Sequence, residues 1–192
     1  KNFNYKSKNS INMKNQIIKP EDTLLIKDIP GYSHDISRLI CMINYARQVT
    51  LSSVEGLTVK ELDFQLDEES NSIGALLLHI ASVEFFYQKC CFEERDLTEE
   101  EYKIWLTALD LGEKGRNEIK GNDLDYYLSK LNDIRDETYR LFKEKDDEWL
   151  HKESDIWGQT GNNYFMWFHT FEDEINHRGQ ISLIKKRINI SS

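Results

Sequence analysis

Apolar residues recur at intervals of three and four along four long segments of this chain, and this spacing indicates amphipathic helices. The predicted helices cover approximately residues 33–54, 71–92, 122–145 and 162–188. Both prolines, Pro20 and Pro30, precede the first of them, so the strongest helix breaker is absent from the rest of the chain. The pattern therefore predicts an all-α protein, built as a four-helix bundle with long connections.

The connections between these helices contain their own signals. A threonine followed three residues later by a glutamate occurs twice, and this capping-box spacing predicts short helices at about 58–62 and 98–109. The glycine-rich stretch Gly112–Gly121 is predicted to be a loop. Residues 148–161, which include Trp157, are predicted to form a second linking loop.

The N-terminal region differs from the rest of the chain. Its first fifteen residues are rich in Asn, Lys and Ser and show neither helical nor alternating periodicity. We expect residues 1–30 to be a flexible extension and residues 31–190 to form one bundle domain. A chain of 192 residues with 39% hydrophobic content is long enough to bury one substantial core.

Composition and charge exclude several classes of function. The net charge is -9 with acidic groups spread along the chain, so no basic face is available for nucleic acid. No apolar stretch approaches the roughly 20 residues that cross a bilayer. The three cysteines include the adjacent pair Cys90 and Cys91, which lacks metal-binding or redox spacing and indicates reduced thiols. We expect a soluble, cytoplasmic protein whose partners are neither nucleic acid nor membrane.

The candidate chemistry lies on two of the predicted helices. His169, Asp173 and His177 are four residues apart near the end of the chain and share one helical face, which is also the apolar, inward face. His79 interrupts an otherwise apolar run on the second long helix. A carboxylate and imidazoles inside a bundle are costly to bury unless each finds a partner, and a divalent cation would satisfy them together.

The same residues allow less specific interpretations. His79 alone would more often be a hydrogen-bonded core histidine, and the whole set could form a buried polar network without metal. His169 fits a neighbour of the site better than a ligand, because three side chains over nine residues span more length than one ion needs. Glu172 and Glu174 point to either side of Asp173 and are expected to be solvated. Two histidines and a carboxylate suit zinc, iron, nickel or manganese.

Three motifs resemble one known superfamily. Leu77-Leu78-His79-Ile80, Phe168-His169 and His177-Arg178-Gly179-Gln180-Ile181 are similar to the DinB/YfiT-like proteins. The resemblance implies a dimeric four-helix bundle that binds a divalent metal through His79, Asp173 and His177. Many members have histidine at the position of Asp173, whereas the related mycothiol-dependent maleylpyruvate isomerases have a carboxylate there.

The resemblance also implies a function. Relatives that use bacillithiol or mycothiol suggest a metal-dependent transferase of a low-molecular-weight thiol, or a related isomerase or hydrolase, in which the metal activates a thiol or water. His169, or a group from the Trp157 loop, is a candidate for handling protons or the small-molecule substrate. The alternative is a non-catalytic stress protein that binds a metal or small ligand. An apolar stripe on the last helix favours a homodimer: Phe165, Phe168, Ile175 and Leu183.

Overall fold

The computed structural model describes residues 17–191, with side chains up to residue 188. Its elements in chain order are α1 (His34–Val54), α2 (Val59–Leu62), α3 (Ile73–Tyr87), α4 (Glu99–Asp110), α5 (Gly112–Glu118), α6 (Leu124–Phe142), α7 (Asp147–His151), β1 (Glu153–Ile156), β2 (Gln159–Asn162) and α8 (Asn163–Ser191). A short 3-10 turn, Pro20–Asp22, precedes them, and the π-helical turn Gln88–Phe92 continues α3.

The four long helices close into a ring around a shared core. Helix α1 packs against α6 and α8, and α3 packs against the same two helices. Their inward faces carry fully buried aliphatic side chains such as Leu39 and Ile40 on α1 and Leu76 and Leu77 on α3. The mostly helical architecture, with one small hairpin, confirms the predicted bundle.

A network of four charged side chains lies at the centre of the bundle, with one residue from each long helix. Arg47 bridges Glu84 and Glu174, with nitrogen–oxygen distances of 2.9 Å to each, and Arg135 Nε lies 2.6 Å from Glu84 Oε1. Burial alone would raise the pKa of Glu84, but the charges of Arg135 and Arg47 lower it to about 2. Two cations and two anions therefore balance each other inside the core.

Two predicted loops contain regular structure instead. Helix α5 occupies most of the predicted loop Gly112–Gly121. At Gly115 the helix packs too closely for a larger residue, since a Cβ atom would lie 3.2 Å from the carbonyl oxygen of Thr107. The predicted loop at 148–161 contains the end of α7 and the antiparallel hairpin of β1 and β2. Its two-residue turn begins with Trp157 and so lacks the usual Asn-Gly or Asp-Gly signal.

The described part of the predicted N-terminal extension packs onto the bundle. Ile18 and Ile29 are buried in the same core cluster as α1 residues. The first sixteen residues of the predicted extension lie outside the described residues. From residue 17 to residue 191, the structure contains no helix that combines the length and apolarity needed to span a membrane.

Candidate metal centre

His79 is held in one orientation on α3. Ser72 begins this helix, and its side-chain oxygen accepts a hydrogen bond from the Ala75 amide at 3.2 Å. Two turns further on, the His79 Nδ1 lies 2.8 Å from the carbonyl oxygen of Ala108. Because a carbonyl can only accept a hydrogen bond, we assign the proton to Nδ1. The Nε2 lone pair is then available as a metal ligand.

Helix α8 places a carboxylate and a second imidazole opposite His79. Asp173 and His177 are one turn apart, and the Asp173 Oδ1 lies 3.3 Å from the His177 Nε2. The His177 Nδ1 faces the amide oxygen of Gln180 at 3.3 Å. Because an amide oxygen can only accept, this contact places a proton on Nδ1, as in His79. Both imidazoles therefore direct Nε2 towards the same carboxylate, the arrangement that oriented metal-ligating histidines adopt.

These three side chains converge on one point. His79 Nε2 lies 3.6 Å from Asp173 Oδ2, and one ligand atom from each of His79, Asp173 and His177 lies within 4.8 Å of the others. Asp173 Oδ2 is buried and has no hydrogen-bond partner. A buried carboxylate oxygen without a partner is costly, and a cation would satisfy it. The donor set therefore fits a divalent metal of the zinc or non-haem iron type.

The electrostatics of the three side chains are consistent with this arrangement. Burial lowers the pKa of His79, although its hydrogen bond to Ala108 opposes that effect. Burial alone would raise the pKa of Asp173, but the hydrogen bond from His177 and its charge lower it overall. The same pairing raises the pKa of His177 against the opposing effect of burial. Asp173 is thus held as a carboxylate and the neutral form of His79 is favoured, whereas a metal ion at this centre would displace the Nε2 proton that His177 donates to Asp173.

His169 lies beside this centre but is not one of the three side chains that converge. Its Nδ1 lies 3.0 Å from Glu172 Oε2, and its ring contacts those of Tyr87 and Trp157 at centroid distances of 6.2 and 5.4 Å. Glu172 is partly exposed, in line with the expectation for it. The expectation for Glu174 was wrong: this side chain is buried, because α8 is covered by α1 as well as by α3.

Two contributors to the site had no signal in the sequence pattern. The carbonyl of Ala108 belongs to the last turn of α4, where carbonyl oxygens lack intrahelical partners and can accept from other groups. The sequence could not predict this contact, because it depends on how α4 packs against α3. Tyr87 is buried on α3 close enough to Asp173 for that charge to contribute to its pKa, which burial raises. Its spacing from His79 is that of an ordinary core residue.

The fold and the converging side chains define a helical-bundle protein with a candidate metal centre. Residues 38–189 match the family model described as mycothiol-S-transferase. Since this match covers most of the chain, the protein belongs to the mycothiol-S-transferase family, which confirms the predicted superfamily. A search of curated proteins found no significant match.

Proposed function

We propose that this protein is a metal-dependent S-transferase that joins a low-molecular-weight thiol, mycothiol or a close analogue, to a small electrophile. The observation that carries the proposal is the convergence of His79, Asp173 and His177, with one buried carboxylate oxygen left without a partner. This centre lies within a chain of the mycothiol-S-transferase family. The three residues are the proposed metal ligands.

The proposed reaction forms a carbon–sulfur bond, releases the thiol proton and expels the leaving group of the electrophile. When bound, a divalent cation would act as a Lewis acid that favours the thiolate form of the substrate. The protein keeps both imidazoles oriented through Ala108 and Gln180. His169, paired with Glu172, is the proposed acceptor of the thiol proton, because it lies beside the centre and is not one of the converging ligands.

Metal removal tests this proposal directly. Protein loaded with zinc, nickel, iron or manganese should accelerate conjugation of mycothiol to monochlorobimane, followed by bimane fluorescence. Chelation followed by desalting should reduce the rate to that of the uncatalysed reaction, because the proposed ligands would then hold no Lewis acid. Adding back one of the four metals should restore the activity. A reaction without protein, containing the same metal, is the control.

Other outcomes distinguish the remaining functions. Hydrolysis of the electrophile, or its isomerisation without loss of thiol, would replace transfer by the related hydrolase or isomerase reaction. Stoichiometric metal binding with a marked loss of stability on chelation, but no turnover with any thiol and electrophile, would contradict catalysis. That result would identify a non-catalytic metal-binding protein.

We also propose that residues 31–190 form the functional domain and that it assembles as a homodimer. Four large apolar side chains on α8 are each at least 40% exposed: Phe165, Phe168, Ile175 and Leu183. A second copy of the chain would cover this stripe, since apolar residues aligned along one helix are typical of interfaces.

Light scattering should accordingly give the mass of a dimer. The Ile175→Lys variant should shift towards the monomer, because burying an unpaired ammonium group at the interface is unfavourable. Ile104→Lys, on the exposed side of α4, is the matched control and should leave the mass unchanged. A monomeric wild-type protein at micromolar concentration would contradict the proposal.

A further inference from the structure

A cavity of about 520 Å³ lies between the end of α3, the π-helical turn, the hairpin and the start of α8. Phe86 and Met166 are among its lining residues. Phe86 lies seven residues after His79 on α3, and Met166 lies seven residues before Asp173 on α8. Seven residues are about two turns, so the cavity is on the ligand faces of both helices, about 10 Å from the metal centre.

Two aromatic residues connect this cavity with the metal centre. Tyr87 and Trp157 line the cavity, and both contact the ring of His169. His169 is one turn before Asp173 on α8. His169 therefore lies between the cavity and the metal centre, in contact with two residues of the cavity wall.

The walls of the cavity are polar, and their charged side chains are two cations and three carboxylates: Arg95, Lys152, Glu94, Asp96 and Asp155. Lys152 Nζ lies 3.0 Å from Glu94 Oε1, and Arg95 Nη1 lies 2.6 Å from Glu101 Oε2. Because these cations are already paired, the cavity has no strong preference for an anion. Its polar lining also includes hydroxyl, amide and carboxylate groups that can exchange hydrogen bonds with a ligand: Ser154, Asp155 and Asn163.

Trp157 has an unusual conformation at the edge of the cavity. It is the first residue of the hairpin turn, with φ at +53°, a conformation that costs an ordinary L-residue about 1–2 kcal/mol. Its side chain is 67% exposed, so burial of the indole in the folded chain does not explain this cost. Strained residues of this kind cluster at ligand sites. A flat, exposed indole beside hydroxyl and carboxylate groups is suited to stacking against a sugar ring.

We propose that this cavity binds the uncharged, hydroxyl-rich head group of the thiol substrate, with Trp157 stacked on one of its rings. This inference rests on the proposed transferase function. A single residue of extended chain spans about 3.5 Å, so free cysteine with its sulfur at the metal centre would not reach the cavity. Mycothiol, in which acetylated cysteine is linked to glucosamine and inositol, is long enough and carries an uncharged polyol. Trp157 is thus a specificity-determining residue.

The Trp157→Asn variant tests this assignment, because asparagine tolerates positive φ and should preserve the hairpin. The KM for mycothiol should rise about fivefold, as expected for the loss of one stacking contact, while kcat stays nearly constant. The KM for cysteine with the same electrophile should not change. Calorimetry with S-methyl mycothiol, which cannot react, should show the same fivefold loss of affinity without any turnover.

Leu24→Asn is the matched control, because Leu24 is also highly exposed and does not line the cavity. The proposal is overturned if Trp157→Asn binds S-methyl mycothiol as tightly as the wild type, or if the KM values for cysteine and mycothiol rise equally. It is also overturned if the variant loses the dimer, since Trp157 would then be an interface residue. Binding of S-methyl mycothiol by a wild-type protein without transferase activity would reject the proposed function and leave this site standing.

Discussion

Replacing His177 with alanine is expected to remove tightly bound metal from the protein. The imidazole supplies one of the three converging ligand atoms, and its Nε2 lies 3.3 Å from Asp173 Oδ1. Loss of a hydrogen-bond partner of a ligand typically weakens metal binding by roughly 10–100-fold, so loss of the ligand itself should exceed about 100-fold. Elemental analysis of untagged protein, followed by titration with zinc, would measure the effect.

His169→Ala is the matched control for this experiment. The two histidines lie on the same helix, two turns apart, but His169 pairs with Glu172 instead of joining the converging set. Its removal should leave the metal content unchanged while reducing the transferase rate. Circular dichroism should show that both variants keep their helical content. If His177→Ala retained the wild-type metal content, the three residues would form a buried polar network, and the proposed metal centre would be wrong.

The helices and the candidate ligands could be predicted because their signals are local. Periodic apolar residues define each long helix, and Asp173 and His177 meet because they are one turn apart on α8. His79 was recognisable as a polar residue on an apolar helix, which required a partner. A partner on α8 was inferred because both ligand faces were expected to point into the bundle, and the family resemblance implied the same three residues.

The features that could not be predicted depend on how many neighbours each helix has. A helical wheel places Glu174 about 100° from Asp173, which indicates a solvated position if only one face of α8 is buried. In the structure, Glu174 is instead covered by α1 and paired with Arg47. The hairpin could not be predicted for a different reason. Trp157 occupies the turn position at which Asn or Gly usually signals a hairpin.

Replacing Glu174 with alanine is expected to destabilise the fold by about 3 kcal/mol, because Glu174 belongs to the buried charge network and is not one of the proposed metal ligands. Its two oxygens accept hydrogen bonds from Arg47 at 2.9 and 3.2 Å in the core. Without them, the two buried guanidinium groups face a single carboxylate, that of Glu84, and one positive charge is uncompensated. Urea denaturation would measure the change in the free energy of unfolding.

Two further variants separate this charge imbalance from a general effect of mutation on α8. Glu172→Ala removes an exposed carboxylate from the same helix and should change stability by less than about 0.5 kcal/mol. The double variant Arg47→Met and Glu174→Leu leaves Glu84 and Arg135 as a neutral pair, so it should recover much of the lost stability. If the double variant were less stable than Glu174→Ala alone, the loss would come from the shape and packing of the core and not from its uncompensated charge.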